Sequence, residues 1–237
     1  MKDIQANLSA INWQTVTEQM DARGYSIIRQ LLSAEQCDDL VVDYDNEDLY
    51  RKTIVMERYR FGLGEYKYFN YPLPGLIQAI REQVYPHLSS IANSWMNALK
   101  IDKQFPHSFN EMQVLCRKKN QTKPTILILK YSKGGHNTLH QDLYGEIFFP
   151  IQAVLFLNDP GKDYSGGEFV LTQQTPRAQS KAIVLTPGKG DMLLFTTNFR
   201  PIKGSKGYYR ATMKHGVSEL HNGERHTLGI IFHDALN

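Results

Sequence analysis

Cysteine is scarce in this chain: Cys37 and Cys116 are the only two in 237 residues, and nothing in their setting marks them as a pair. That composition excludes a disulfide-stapled scaffold, and reduced thiols in a cytoplasmic protein are the expectation. No run of about 18 apolar residues occurs, so no membrane-spanning helix and no membrane partner are expected. The opening residues Met1-Lys2-Asp3-Ile4-Gln5-Ala6-Asn7 lack the apolar core of a secretory signal. Internal repeats and low-complexity tracts are missing, which excludes a solenoid. Helix-turn-helix, zinc-finger and RNP patterns are missing too, so no standard nucleic-acid readout element is present.

What is there is ordinary in bulk and uneven in charge. Hydrophobic residues make up 41% and charged residues 22% of the chain, as in globular proteins. The length suits a single domain over residues 1–237, with a mainly helical part at 1–111 and a β-rich part at 112–237. The net charge of +3 divides into −7 over residues 1–48 and +10 over the rest. An excess of positive charge favours an anionic ligand, nucleic acid included, although a solvated basic face has the same composition.

Along the first part, Ile11, Val16 and Met20 recur at helical spacing before Gly24, a helix stop. Tyr25–Arg29 reads as a short strand. Ser33 and Gln36 form a capping box opening a helix through Leu40, Val41 and Tyr44. Residues 54–75 mix bases, aromatics and glycines without a period. They read either as strands packing on the core or as a mobile segment over a substrate. Pro74-Gly75 starts a helix carrying Leu76, Ile77, Ile80 and Val84; Pro86 is expected to interrupt it before Leu88, Ile91, Trp95 and Leu99. Beyond that, nine short strands are expected at 112–117, 125–131, 138–143, 150–157, 167–173, 181–186, 191–196, 211–218 and 226–233, divided by Gly and Pro turns. The last eight match the count of a double-stranded β-helix, or jelly roll, giving an α+β fold with helices packed on that core. Residues 200–208 read as an exposed basic loop, and Asn222-Gly223 as a hairpin turn.

The residues that carry chemistry lie in the β-rich part. His140 and Asp142 sit at i and i+2, which on a strand puts both on one side. His215 would come from a second strand. Two imidazoles and a carboxylate can occupy one face of an Fe(II) octahedron and leave three positions open, and the lack of a neighbouring thiolate argues against structural zinc. Arg225 and Thr227 share one face of the last strand, where a guanidinium can grip a carboxylate at two points with a hydroxyl beside it. Taken singly, His140 also fits a core or turn histidine, Arg225 a surface charge, and Tyr131 a core aromatic. His136, His221, His226 and His233 compete as ligands, and Arg210 and Lys214 as anion partners.

The ordering His140-Gln141-Asp142, His215-Gly216-Val217-Ser218, Arg225-His226-Thr227 resembles the Fe(II)/2-oxoglutarate-dependent dioxygenase superfamily. The stretch from Lys130-Tyr131 to Phe232-His233-Asp234-Ala235, notably Gly166-Gly167-Glu168-Phe169 and Arg210–Ser218, resembles a bacterial oxygenase family described as acting on damaged nucleic acid. The resemblance implies His140, Asp142 and His215 as catalytic iron ligands, and Arg225, Thr227 and Tyr131 as the 2-oxoglutarate site. It also implies O2 as oxidant, with succinate and CO2 released as a substrate C–H bond is hydroxylated. Hydroxylation of an N-methyl carbon would release formaldehyde. His-Gly-Val-Ser with Gly-Gly-Glu-Phe is also similar to prolyl-4-hydroxylase-like enzymes, which usually present Lys where Arg225 stands. Nucleic acid, protein and small molecules all stand as substrates, and a cupin-like metalloenzyme or a binding barrel with a degenerate site are the other classes.

Overall fold

The computed structural model describes residues 2–143 and 145–236. Among these residues five α-helices form: α1 (Lys2–Ser9), α2 (Trp13–Arg23), α3 (Ala34–Val42), α4 (Gly75–Ala98) and α5 (Phe109–Lys118). Gly24 closes α2 in the left-handed region at φ 80°, its N–H bonding to the Met20 carbonyl, a conformation that costs glycine nothing. Ser33 and Gln36 form the expected capping box on α3. Two expectations fail here. Pro86 does not interrupt its helix, because α4 runs through it. The stripe Ile77, Ile80, Val84, Leu88, Ile91 and Trp95 is buried on both sides of the proline. At about 1.5–3 kcal/mol for each buried apolar side chain, that stripe outweighs the roughly 3 kcal/mol cost of one interior proline. Residues 112–117 are helix, not strand: Ser108 and Glu111 cap α5 reciprocally, and Phe109, Met112 and Cys116 form its buried stripe.

The described residues also form fifteen strands: β1 (Tyr25–Ile28), β2 (Tyr50–Val55), β3 (Gly62–Leu63), β4 (Glu65–Phe69), β5 (Leu127–Tyr131), β6 (His136–His140), β7 (Ile151–Phe156), β8 (Tyr164–Gly166), β9 (Phe169–Gln174), β10 (Lys181–Leu185), β11 (Met192–Thr196), β12 (Phe199–Gly204), β13 (Gly207–Val217), β14 (Leu220–Gly223) and β15 (Arg225–Ile230). They pair as a large sheet, β1-β11-β7-β15-β5-β4-β2, a smaller one, β10-β9-β13-β6-β3, with β12 added to β13, and the pair β14-β8. The eight expected core strands divide into β11-β7-β15-β5 in the large sheet and β10-β9-β13-β6 in the small one. That is a jelly roll of two four-stranded faces. Residues 200–208 are not a loop but most of the β12–β13 hairpin, with Arg200 and Pro201 buried. Asn222-Gly223 lies in β14 rather than in a turn. In the aromatic segment 54–75 the end of β2, a helical turn at Met56–Tyr59 and the strands β3 and β4 alternate with loop, β4 extending the large sheet and β3 the small one.

Alternation along the strands explains where the two cores sit. Ile151, Ala153, Leu155, Met192, Leu194, Leu228 and Ile230 point to the helices and join the large cluster around α4. Val154, Phe156, Leu193 and Phe195 point the other way, against Phe169, Leu171 and Met213 of the small sheet. A sheet covered on both faces needs apolar residues at both parities, so β7 and β11 read as continuous apolar runs. Among the described residues no helix is long and apolar enough to cross a membrane.

Candidate active site

The space between the sheets is filled by apolar side chains at one end and left open at the other. There a cavity of about 360 Å3 is bounded by His140, Asp142, His215, Tyr131, Arg225 and Thr227. All six residues singled out from the sequence therefore border one space. They come from β5, β6, β13, β15 and the segment after β6.

β6 and β13 run antiparallel with His140 opposite His215, and the ring centroids are 4.2 Å apart. Asp142 lies beyond the end of β6, not within the strand as the His-x-Asp spacing predicts. It nevertheless reaches both rings, at 3.5 Å from His140 Nε2 and 3.4 Å from His215 Nε2. Gln141 fixes that segment. Its Nε2 donates to the main-chain carbonyls of Asn198 at 2.9 Å and Met213 at 2.8 Å, and lies 3.1 Å from Asn198 Oδ1. Gly216 allows the close strand approach: a Cβ there would sit 2.6 Å from the carbonyl oxygen of Asn137.

One donor atom from each of His140, Asp142 and His215 lies within 4.8 Å of the others, and no other such group of three occurs among the described residues. The His140 Nδ1 lies 2.7 Å from the Thr138 carbonyl, so that nitrogen carries the proton and the lone pair is on Nε2, toward Asp142. Burial, then His215, holds the His140 imidazole below its ordinary pKa. Burial alone would raise the Asp142 carboxyl, but bonding and charge from His215, then charge from His140, hold it at about 2. Two imidazoles and a carboxylate, with no thiolate, suit a divalent iron ion. The Phe169 ring lies nearly parallel to His215, with centroids 6.0 Å apart, and Phe195 packs at 4.8 Å, fixing the ring.

At the other end of the cavity Arg225 lies opposite Tyr131 in the β15–β5 register. It is 1% exposed, and none of its three guanidinium nitrogens has a hydrogen-bond partner. The rings of Tyr131, Phe156 and Tyr164 surround it at 5.3–5.9 Å; the Tyr164 hydroxyl is near but outside hydrogen-bond geometry. The Tyr131 hydroxyl is also buried and unpartnered, and burial pushes it up to about 12. Thr227, 2% exposed, joins Arg225 on the cavity face.

Arg81 shows what a structural buried arginine looks like in this protein. Equally enclosed, it donates to the carbonyls of Ile231 and His233, to Asp234 Oδ1 at 2.8 Å and to the Tyr71 hydroxyl at 2.9 Å. A buried charge without such partners costs several kcal/mol. Arg225, with Tyr131 and Thr227 also on the cavity wall, could therefore receive an anionic group such as a carboxylate.

The competing residues lie elsewhere. Arg210 and Lys214 are exposed, outside the cavity lining. His136 Nδ1 contacts the Gly134 carbonyl at 3.1 Å, and His221 is exposed on β14. His226 faces the helix side, edge-on to Tyr44. His233 Nδ1 accepts the Phe149 N–H. Tyr66 of the aromatic segment 54–75 also lines the cavity, as do Gln152 and Tyr68, which were not singled out from the sequence. Gln152 is the one polar residue in the apolar run of β7, and that break was the available signal.

Comparison with known proteins agrees with this geometry. Residues 64–235 match the Oxygenase-NA family, described as oxygenases catalysing oxidative methylation of damaged DNA. An uncharacterized Mycobacterium tuberculosis protein, found in two strains, is 42% identical over 167 residues, covering 70% of this chain and 72% of its own length. Among solved structures, a 2-oxoglutarate–Fe(II) oxygenase family oxidoreductase from Burkholderia pseudomallei is similar with a TM-score of 0.57 at 12% identity, covering 96% of this chain and 95% of its own. A Pseudomonas putida prolyl-4-hydroxylase is similar with a TM-score of 0.54 at 13% identity, covering 94% and 100%. At these identities the structural likeness is one of fold. With the family matched over most of its length, the chain belongs to the Oxygenase-NA family and is an oxygenase on the jelly-roll fold of the 2-oxoglutarate–Fe(II) enzymes.

Proposed function

We propose that this protein is an Fe(II)/2-oxoglutarate-dependent dioxygenase that oxidises N-methyl groups of damaged nucleic acid. In this reading His140, Asp142 and His215 hold Fe(II), while Arg225, with Thr227 and Tyr131, receives the distal carboxylate of 2-oxoglutarate. The observation that carries it is the unpartnered guanidinium of Arg225, buried in the same cavity as the His–Asp–His group. A cupin-like metalloenzyme has no use for that charge. When bound, the iron supplies the activation of O2 against 2-oxoglutarate.

The protein's own residues do the rest. Arg225 neutralises and orients an anion that enters a low-dielectric space, where pairing is strong. His140 and His215 present lone pairs, and the Thr138 carbonyl keeps the His140 tautomer fixed. Phe169, Phe195 and Val154 keep water from the inner wall. A methyl carbon presented at the open side gains one oxygen atom of O2. The other atom goes to succinate as 2-oxoglutarate loses CO2. The N–CH2OH product then parts into N–H and formaldehyde, so the chemistry available to an oxygenase at such a group is removal of the methyl.

The family description and the basic charge beyond residue 48 support nucleic acid as substrate. A base stacked in a duplex cannot enter a cavity between two sheets, so the substrate is single-stranded or a flipped-out base. The entire chain is proposed as one domain. The two unpaired, buried thiols Cys37 and Cys116 support a reducing, cytoplasmic setting.

The test is turnover of N-methylated single-stranded oligonucleotides with 2-oxoglutarate, Fe(II) and O2. Formaldehyde and succinate in equal amounts, with loss of one methyl mass, are expected. Succinate formation driven by a proline-containing peptide or a metabolite, with no product from any methylated oligonucleotide, would contradict the substrate assignment and leave the oxygenase.

A further inference from the structure

A second groove of about 350 Å3 adjoins the cavity and shares Phe61, Tyr66 and Tyr68 with it. Its remaining lining includes Lys52, Ile54, Tyr59 and Leu236. The volume falls in the range of small-ligand sites, about 300–1,000 Å3. Its most unusual feature is an exposed aromatic pair. Tyr59 is 53% and Phe61 44% exposed, and their rings stack on one another at 5.5 Å with planes 19° apart. Single exposed aromatics are ordinary; a stacked pair on the rim between a cavity and a groove is not.

The backbone holds that pair in place. Arg60, between the two rings, adopts φ 60°, a left-handed conformation that is uncommon for arginine and reverses the chain there. The Phe61 carbonyl accepts the Thr138 N–H and the Thr138 hydroxyl, both at 2.9 Å. Gly62 then pairs with Asn137 so closely that a Cβ would lie 2.2 Å from the His136 carbonyl. The aromatic turn is therefore bolted to β6, the strand that ends at His140. It is a fixed platform at a set distance from the candidate iron site rather than a mobile cover.

Charge around the groove has one sign in excess. Lys52 lines the groove, Arg58 and Arg60 are exposed on either side of Tyr59 in sequence, and the exposed Lys123 bridges to Ala235 of the groove wall. Glu57 shares the turn, and Glu146 is already ion-paired with Lys119 at 2.5 Å. Flat aromatic faces with bases around them are the two parts needed to hold a nucleobase and its phosphate.

Resting on the reading of nucleic acid as substrate, we propose that this groove is a subsite for the nucleotide next to the one being oxidised. The neighbouring base stacks on Tyr59 and Phe61, and Lys52, Arg58 and Arg60 neutralise the linking phosphates. The enzyme would then act on a strand, with little use for an isolated modified nucleotide. Stacking is tolerant of base identity, so the subsite sets a length requirement without a sequence requirement.

Turnover of an N-methylated deoxynucleoside monophosphate is compared with that of a trinucleotide carrying the same base at its centre, at equal salt. The wild type should favour the trinucleotide in kcat/KM by about tenfold or more, with most of the difference in KM. Tyr59→Ala should bring the ratio close to one, and Tyr59→Phe should restore it, with thermal unfolding unchanged in both. Equal kcat/KM for the two substrates in the wild type, or an undiminished ratio in Tyr59→Ala, overturns the subsite while leaving nucleic acid as substrate. Failure of both substrates alongside turnover of a peptide overturns the nucleic-acid reading and the subsite with it.

Discussion

Arg225 and Arg81 are buried alike, and their surroundings differ in a way that separates function from architecture. Arg81 ties the C-terminal segment to α4 through four hydrogen bonds to Tyr71, Ile231, His233 and Asp234. Arg225 has none. A charge buried unpaired destabilises the protein that carries it, so Arg225→Met, which keeps the aliphatic bulk, should leave the ligand-free protein no less stable. The same change should weaken 2-oxoglutarate by about 2–4 kcal/mol, roughly 30- to 1,000-fold in Kd, with Fe(II) affinity largely retained. Isothermal titration of the Fe(II)-loaded protein under anaerobic conditions reads the 2-oxoglutarate affinity, and thermal unfolding reads the stability. An unchanged Kd for 2-oxoglutarate would place its carboxylate elsewhere. A large drop in stability would make Arg225 a structural residue like Arg81. The six candidate site residues, which border one cavity, were legible because each type is tied to one kind of chemistry. Gln141 was not: its task, holding the segment between two candidate ligands to Asn198 and Met213, depends on a fold that spacing alone does not reveal.

Among the elements, the β6–β13 pairing decides whether the site exists. His140 faces His215 only while Gly216 lets the strands approach, with the Asn137 carbonyl 2.6 Å from where a Cβ would lie. That neighbour is backbone and cannot swing aside. Gly216→Ala should therefore push β6 from β13 and cut Fe(II) affinity by about tenfold or more, in line with losses seen when support of metal ligands is disturbed. The jelly roll as a whole should still fold. Iron titration followed by circular dichroism checks both; undiminished affinity in a folded variant would mean that the close approach is not what sets the two histidines.

The eight core strands could be read from the sequence because burial imposes period two or nearly continuous apolar runs on them, as in Ile151–Phe156, broken only by Gln152, and residues 192–195. Residues 112–117 were misread because a short apolar run carries no decisive period, and the deciding signal, the Ser108–Glu111 capping box, lies just upstream. β8, β12 and β14 are short, or rich in Gly and Lys, and are held by pairing partners distant in sequence. Local propensity does not report such partners.

At the scale of the molecule, the uneven charge acquires a place. The acidic first 48 residues supply α1, α2 and α3, whose buried residues Leu8, Met20 and Leu40 join the core on the helix side of the large sheet. The cavity lies on the opposite side of that sheet, bounded by the basic remainder of the chain. The net positive charge beyond residue 48 therefore belongs to the part of the chain that encloses the cavity, and the acidic layer lies across the sheet from it.

In the proposed function His140, Asp142 and His215 hold one iron ion. Iron per chain, measured after anaerobic reconstitution with Fe(II) and removal of excess metal, tests it most directly. Wild type should hold one Fe(II). Asp142→Ala and His140→Ala, checked for folding, should retain little, because two remaining protein donors make a weak site. Full occupancy in both folded variants would contradict the account, since the metal would then be held by other residues.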